Sequence, residues 1–262
     1  MRRLASLVVA ALLALAPRPA AAQTNALWFP VGEETIYQLN WGVLPVGQTH
    51  VTTAWTNHAG KTVLAIRYVT RTNKVVEKLY PVDIFMETLI DADTFLPIRF
   101  IKRAREGRHR SDEETHFDYA RGVARWKSLL KNKEKEIAID DDTRDLVALM
   151  YYLRRTPFEP GQTRQYRVLT DAKVYDLTLR VGASEPVKLD RYGAVPSVRV
   201  EPEAAFNGLF QRKGKLTLWV SQDERRLCTR MVGEVPVASV RITLAEVRGP
   251  GQDAWVKVPA KD

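Results

Sequence analysis

Four histidines, His50, His58, His109 and His116, and one cysteine, Cys228, are the residues of this 262-residue chain best suited to metal or nucleophilic chemistry. Their spacing supports neither. There is no H-x-H, H-E-x-x-H or C-x-x-C arrangement to aim several imidazole or thiolate ligands at one ion. Asp91-Ala92-Asp93 and Asp140-Asp141-Asp142 could offer hard oxygens, but they lack the glycine and distal glutamate of a calcium loop. They read as a tight turn and a helix cap. Ser221 and Asp223 fall at a strand end, where both residue types shape turns, and no G-x-S-x-G or S-x-x-K motif or glycine-rich phosphate cradle occurs. Cys228, at an alternating position in RLCTRMV with no histidine close in sequence, reads as a small buried apolar residue. Glu113 and Glu114 are neighbours on a strand, so they point to opposite faces. A carboxylate pair for glycoside cleavage depends on a three-dimensional separation of roughly 5–10 Å and has no sequence signature here. No catalytic residue, metal ligand or cofactor is assigned.

Binding residues are easier to nominate. RFIKRAREGRHR holds Arg99, Lys102, Arg103, Arg105, Arg108 and Arg110, with Glu106 as its only acid. As a hairpin turning at Glu106-Gly107, it is either a solvated tip that keeps a β edge from pairing or a contact for an anionic surface. Lys131, Lys133 and Lys135 form a second basic loop, diluted by Glu134 and Glu136. No aromatics interleave with the arginines, which argues against single-stranded nucleic acid. Trp41, Trp55 and Trp219 are candidates for contact with an apolar ligand. Trp41 and Trp55 sit on regular alternating faces of paired strands, and Trp219 faces away from Leu216, Leu218 and Val220. A sheet apolar on both faces needs cover from a helix, a second sheet or a ligand.

The N-terminus sets the compartment. Arg2 and Arg3 precede an apolar run from Leu4 to Ala16, and Ala20-Ala21-Ala22 supplies small residues for cleavage. This is the pattern of a secretory signal peptide over residues 1–22, too short to span a bilayer. No cysteine follows it for lipidation, and no later apolar run is long enough to be a membrane helix. Losing the leader with Arg2, Arg3 and Arg18 takes the formal net charge from +9 to about +6, a moderately basic balance. For an exported protein the anionic neighbours are lipid headgroups, lipopolysaccharide phosphates and wall polymers.

The elements that must position these residues are mostly strands. Thr35, Tyr37, Leu39 and Trp41 share one face, as do Thr49, Val51, Thr53 and Trp55. Similar period-two runs recur to residue 247 with turn residues every 8–12 positions, the pattern of antiparallel β structure. In YQLNWGVLPVGQTHV, Gly42, Pro45 and Gly47 read as a hairpin turn. The period breaks once. Leu146, Leu149, Met150 and Leu153 recur at helical spacing, with Asp142 as cap and Pro157 as stop, predicting one helix over 143–155. Too short to stand alone, it must lie on the sheet or plug a barrel end. The expected fold is all-β and mainly antiparallel: about twelve strands in a strongly curved sheet or open β-barrel, with one short helix packed against it. A single domain over 23–248 is followed by a loose tail at 249–262.

Several short matches occur in order: Gly32, Glu33, Tyr37, Trp41, Pro45 and Gly47, then Tyr80-Pro81, Asp91…Leu96-Pro97 and Phe117-Asp118. Asp145…Tyr151-Tyr152-Leu153-Arg154, Pro160-Gly161 and Leu218-Trp219-Val220-Ser221-x-Asp223 follow. Together, over residues 30–247, they resemble the bacterial exported family called domain of unknown function 3108. The resemblance implies an exported β-rich protein of Gram-negative bacteria and brings no activity or catalytic residues. The reading favoured by all of this is a non-enzymatic periplasmic protein. It would bind an apolar or amphipathic envelope component, such as lipid, or act as an envelope accessory module. The alternatives are a hydrolase acting on an envelope glycan or ester and a pure interaction scaffold.

Overall fold

The period-two segments become the strands of one fifteen-stranded sheet in the computed structural model, which describes residues 27–203, 216–235 and 238–250. The first half is a meander: β1 (Glu34–Trp41), β2 (Leu44–His58), β3 (Lys61–Thr72), β4 (Val82–Ile90), β5 (Pro97–Glu106), β6 (His109–Asp118), β7 (Val123–Ser128) and β8 (Lys133–Ala138). The second half starts with the short β9 (Arg144–Asp145) and continues as β10 (Thr163–Thr170), β11 (Lys173–Leu189), β12 (Gly193–Glu203), β13 (Leu216–Ser221), β14 (Cys228–Val235) and β15 (Ala238–Arg248). All neighbours are antiparallel except β9 and β10. The halves join where β1 pairs with β15, leaving β8 and β9 as the edges. The fold class is the one expected. The predicted leader, most of the predicted tail and Trp255 lie outside the described residues.

Three readings of the strands need correction. Lys133 and Lys135 lie in strand β8 rather than in a loop, and the alternating Lys/Glu pattern puts charge along an edge, which discourages pairing with another chain. The sheet has fifteen strands rather than about twelve, with β11 running unbroken through a register shift between Val181 and Ser184. The basic hairpin turns at Gly107-Arg108, one residue later than read.

The sheet curls until its edges approach, and side chains rather than a backbone ladder bridge the seam. Lys102 Nζ lies 3.1 Å from Asp171 Oδ1, Lys135 Nζ donates to Ala172 O at 3.1 Å, and Arg167 Nη1 lies 2.9 Å from Asp140 Oδ2. Ala124, Ile137 and Ile139 pack with Leu169 across the same line.

Inside the curl sits helix α2 (Leu146–Tyr152; α1, Lys74–Glu77, is one turn between β3 and β4), which runs on into a 3₁₀ turn at Leu153–Arg155. Val147, Ala148, Leu149 and Tyr151 are buried, which marks a helix enclosed on most sides. Its cap is Asp145, not Asp142: Asp145 Oδ1 accepts from Ala148 N at 2.9 Å and Oδ2 accepts from Thr88 Oγ1 at 2.7 Å. Asp142 lies too early, and its carbonyl instead takes Arg144 Nη1 at 2.7 Å. Trp28, Phe29, Phe95, Tyr151 and Tyr152 form an aromatic cluster against the helix, with Trp28 Nε1 donating to Tyr151 O at 2.9 Å.

A meander sorts its connections. β1–β2, β3–β4, β5–β6 and β7–β8 turn at one end of the sheet, and β2–β3, β4–β5 and β6–β7 at the other.

Candidate functional site

The densest polar constellation is buried where α2 ends. Glu33, fully buried before β1, accepts from Arg154 Nη1 at 2.7 Å, from Arg154 Nη2 at 3.2 Å and from Arg225 Nη2 at 2.8 Å. Arg154 Nε donates to Arg225 O at 2.9 Å, and its guanidinium lies 4.9 Å from the centre of the Tyr151 ring. Opposite charge and bidentate geometry hold a group that burial alone would expel. The clasp ties three distant segments together: the chain entering β1, the helix terminus and the β13–β14 turn. Both carboxylate oxygens are engaged by guanidinium groups and Glu33 is fully buried, so its role here is to hold the clasp together.

Next to it lies a cavity of about 50 Å³, lined by Tyr37, Tyr68, Tyr151, Cys228 and the apolar faces of β11–β13. That is room for a few waters, far below the roughly 300–1,000 Å³ of small-molecule sites. Burial pushes the phenols of Tyr37, Tyr68 and Tyr151 well above their usual range. Burial also raises the Cys228 thiol to about 12, so it stays protonated near neutrality and is a poor nucleophile. Among the described residues, those lining this cavity offer neither space for a lipid nor an activated group.

The other nominated residues fall into structural roles or onto the surface. Asp91 Oδ1 accepts from Asp93 N and Thr94 N at 3.1 and 3.0 Å, closing the β4–β5 turn. Ser221 Oγ donates to Asp223 Oδ1 at 2.6 Å and accepts from Leu227 N, shaping the β13–β14 turn. His50 of β2 pairs with Glu34 of β1, and His116 pairs with Glu114 two residues away on β6, each at 2.9 Å. The three tryptophans are not brought together. Trp41 is 52% exposed at one end of the sheet, Trp55 is 40% exposed toward the other, and Trp219 reaches Glu185 outside the inward-facing row of Leu218 and Val220. None lines the cavity.

The six cations of β5 and β6 divide in two. Arg99 lies 2.9 Å from Glu114, Lys102 meets Asp171 across the seam, and Arg103 lies 3.5 Å from Asp112. Arg105, Arg108 and Arg110, at the tip, are exposed and have no ion pair among the described residues, Arg110 donating instead to the carbonyls of Gly107 and His109. The hairpin body is neutralised across strands, and its tip is cationic.

The family model for "Protein of unknown function (DUF3108)" matches residues 36–245. The chain belongs to this family. Among solved structures it is similar to a "Beta-barrel-like Protein of Domain of Unknown Function DUF1849 from Brucella abortus". The identity is 16%, the TM-score is 0.53, and 83% of this chain and 97% of that one are covered. At that identity the likeness is one of fold. No curated protein matches the chain.

In this DUF3108 member, sequence reasoning passed over the clasp because Glu33, Arg154 and Arg225 are separated by more than seventy residues at each step. A signal was available for Glu33 and Arg154, which both stand among the short motifs that carry the resemblance, Glu33 just ahead of the matched residues 36–245, but nothing in their spacing pairs them. The exposed apolar turn residues left a plainer trace. Val43, in the β1–β2 turn beside Leu44 at the start of β2, and Leu129-Leu130, in the β7–β8 turn, stand where polar residues are usual.

Proposed function

We propose that this chain is an exported, non-enzymatic envelope protein whose barrel-like body presents the tip of the β5–β6 hairpin to an anionic envelope surface. The observation that carries the reading is the division of the basic stretch: three of its six cations are spent on acids within the sheet, and Arg105, Arg108 and Arg110 remain exposed without one. Exposed cations attract a phosphate-bearing surface in a salt-dependent way. The small volume of the cavity among the described residues supports surface contact over internal carriage of a ligand. The leader pattern at residues 1–22 supports export.

Co-sedimentation with phosphatidylcholine vesicles, with and without phosphatidylglycerol, tests the contact. Binding should require the anionic lipid, weaken with salt, and fall about a hundredfold or more, at about 1 kcal/mol for each arginine, when Arg105, Arg108 and Arg110 are changed to Glu. Unchanged binding in that variant would overturn the reading. Cell fractionation and N-terminal sequencing test export, with Gln23 the expected first residue.

A further inference from the structure

Exposed apolar side chains are normally scattered, yet here they are sorted to one end of the sheet. Among the described residues nine large apolar side chains are exposed, and eight of them sit on three alternate connections. Trp41, Val43 and Leu44 surround the β1–β2 turn, with Val43 91% exposed. Val75, Leu79 and Tyr80 project from α1 and the segment after it, with Leu79 86% exposed. Leu129 and Leu130 form the β7–β8 turn. The exception, Trp55, lies toward the opposite end, whose turns carry Asp91, Asp93 and Asp118.

Hydrogen bonds tie the tips into a rim. Asn73 Nδ2 donates to Pro45 O at 2.6 Å and Gly107 N to Pro81 O at 2.8 Å, linking three neighbouring connections, while Leu129 N donates to Asp112 O at 2.8 Å and ties the β7–β8 turn to β6 below its tip. Cations flank the apolar side chains throughout: Lys74 and Lys78 beside α1, Arg105 and Arg108 on the β5–β6 tip, and Lys131 beside Leu130. None of these has an ion pair among the described residues, and Glu77 and Glu106 are the only acids placed among them without an ion pair.

We propose that this rim is a bilayer-interface anchor, with the apolar tips entering the acyl boundary of an anionic membrane while the lysines and arginines meet its phosphates. Tryptophan and tyrosine beside aliphatic residues with a basic border is the side-chain chemistry of such an interface. Charge selects the occupant. A second copy would set one cationic rim against another, whereas an anionic bilayer complements it. The inference rests on the anionic-surface reading above and adds that the surface is a lipid bilayer into which side chains insert.

The test uses protein recovered from a Gram-negative host and vesicles of phosphatidylcholine and phosphatidylglycerol carrying bromine on the acyl chains. Bromine quenches only tryptophans that enter the acyl layer. The expected result is quenching that disappears in Trp41→Phe and persists in Trp55→Phe. Leu44→Ser and Leu79→Ser should each weaken binding about tenfold at unchanged charge. These side chains already face solvent, so thermal melting should not change. Salt-dependent binding without quenching, unaffected by the leucine changes, would overturn insertion and leave the electrostatic reading standing. Quenching at Trp41 with binding indifferent to the Arg→Glu changes would do the reverse. A dimer in solution that is lost in Leu79→Ser, with no lipid binding, would overturn the anchor in favour of self-association.

Discussion

Replacing Glu33 by Gln keeps the shape of the side chain and removes the charge that two guanidinium groups share. In the wild-type protein Glu33 receives three hydrogen bonds, two from Arg154 and one from Arg225. A glutamine in its place can accept with one oxygen only, and its amide nitrogen would face cationic donors. Arg225 is partly exposed and can turn to water, but Arg154 is 6% exposed and cannot. Leaving one partner of a buried ion pair uncompensated costs about 3–5 kcal/mol. For a chain of this size that lowers Tm by roughly 10 °C and removes much of a typical folding stability. Urea and thermal unfolding followed by circular dichroism would measure the loss. Arg154→Met should be costly alone and much cheaper in the Glu33→Gln background, because the buried charge it leaves has already gone. A loss below about 1 kcal/mol in Glu33→Gln, or costs that simply add, would refute the view that the clasp locks the helix end to β1 and the β13–β14 turn.

Two further outcomes follow from the interior and the first hairpin. Burial raises the carboxyl of Asp145 from 3.8 to about 6, so between those values the folded chain binds more protons than the unfolded one and stability falls as pH rises. That contribution, up to about 3 kcal/mol, is present at acid pH and lost by neutrality. Asp145→Asn keeps an oxygen for Ala148 N and removes the titration. The wild-type-minus-variant difference in urea midpoint should therefore shrink from acid pH to pH 7, and parallel pH profiles would contradict the raised carboxyl. At Gly47 an added methyl would stand 2.2 Å from Arg71 O, a backbone atom of β3. Gly47→Ala should cost about 2–4 kcal/mol by thermal unfolding, whereas Gly42→Ala, in open space at φ +58, should cost about 1 kcal/mol of backbone strain.

Much of the architecture was legible in the residues because side-chain period is a local property. Thr49, Val51 and Thr53 declare their inward face without reference to any other strand, and Leu146, Leu149 and Met150 declare a helix. What failed required knowing neighbours. Asp142 and Asp145 are equally good caps on paper, and Thr88, reached only through the fold, completes the cap at Asp145. Gly47 read as a turn residue, but its φ is ordinary and its constraint is the approach of β3. Trp41 and Trp55 obey the alternation of β1 and β2, yet each lies near the end of its strand, where the inward face meets solvent. The even basic charge of β5 and β6 in sequence was broken up by Glu114, Asp112 and Asp171, two of them on the neighbouring strand and one across the seam.

The pairing of β1 with β15 bears on how the chain folds. Strands β1 to β8 can zip up in chain order, each beside its predecessor, but the open flank of β1 has no partner until the last strand arrives. Until then the folding protein is a half-shell with an unpaired edge and an exposed apolar lining. The step that joins the halves spans nearly the whole sequence, which makes it the slow one. Loss of β15 would therefore split the sheet down its middle, not trim its margin.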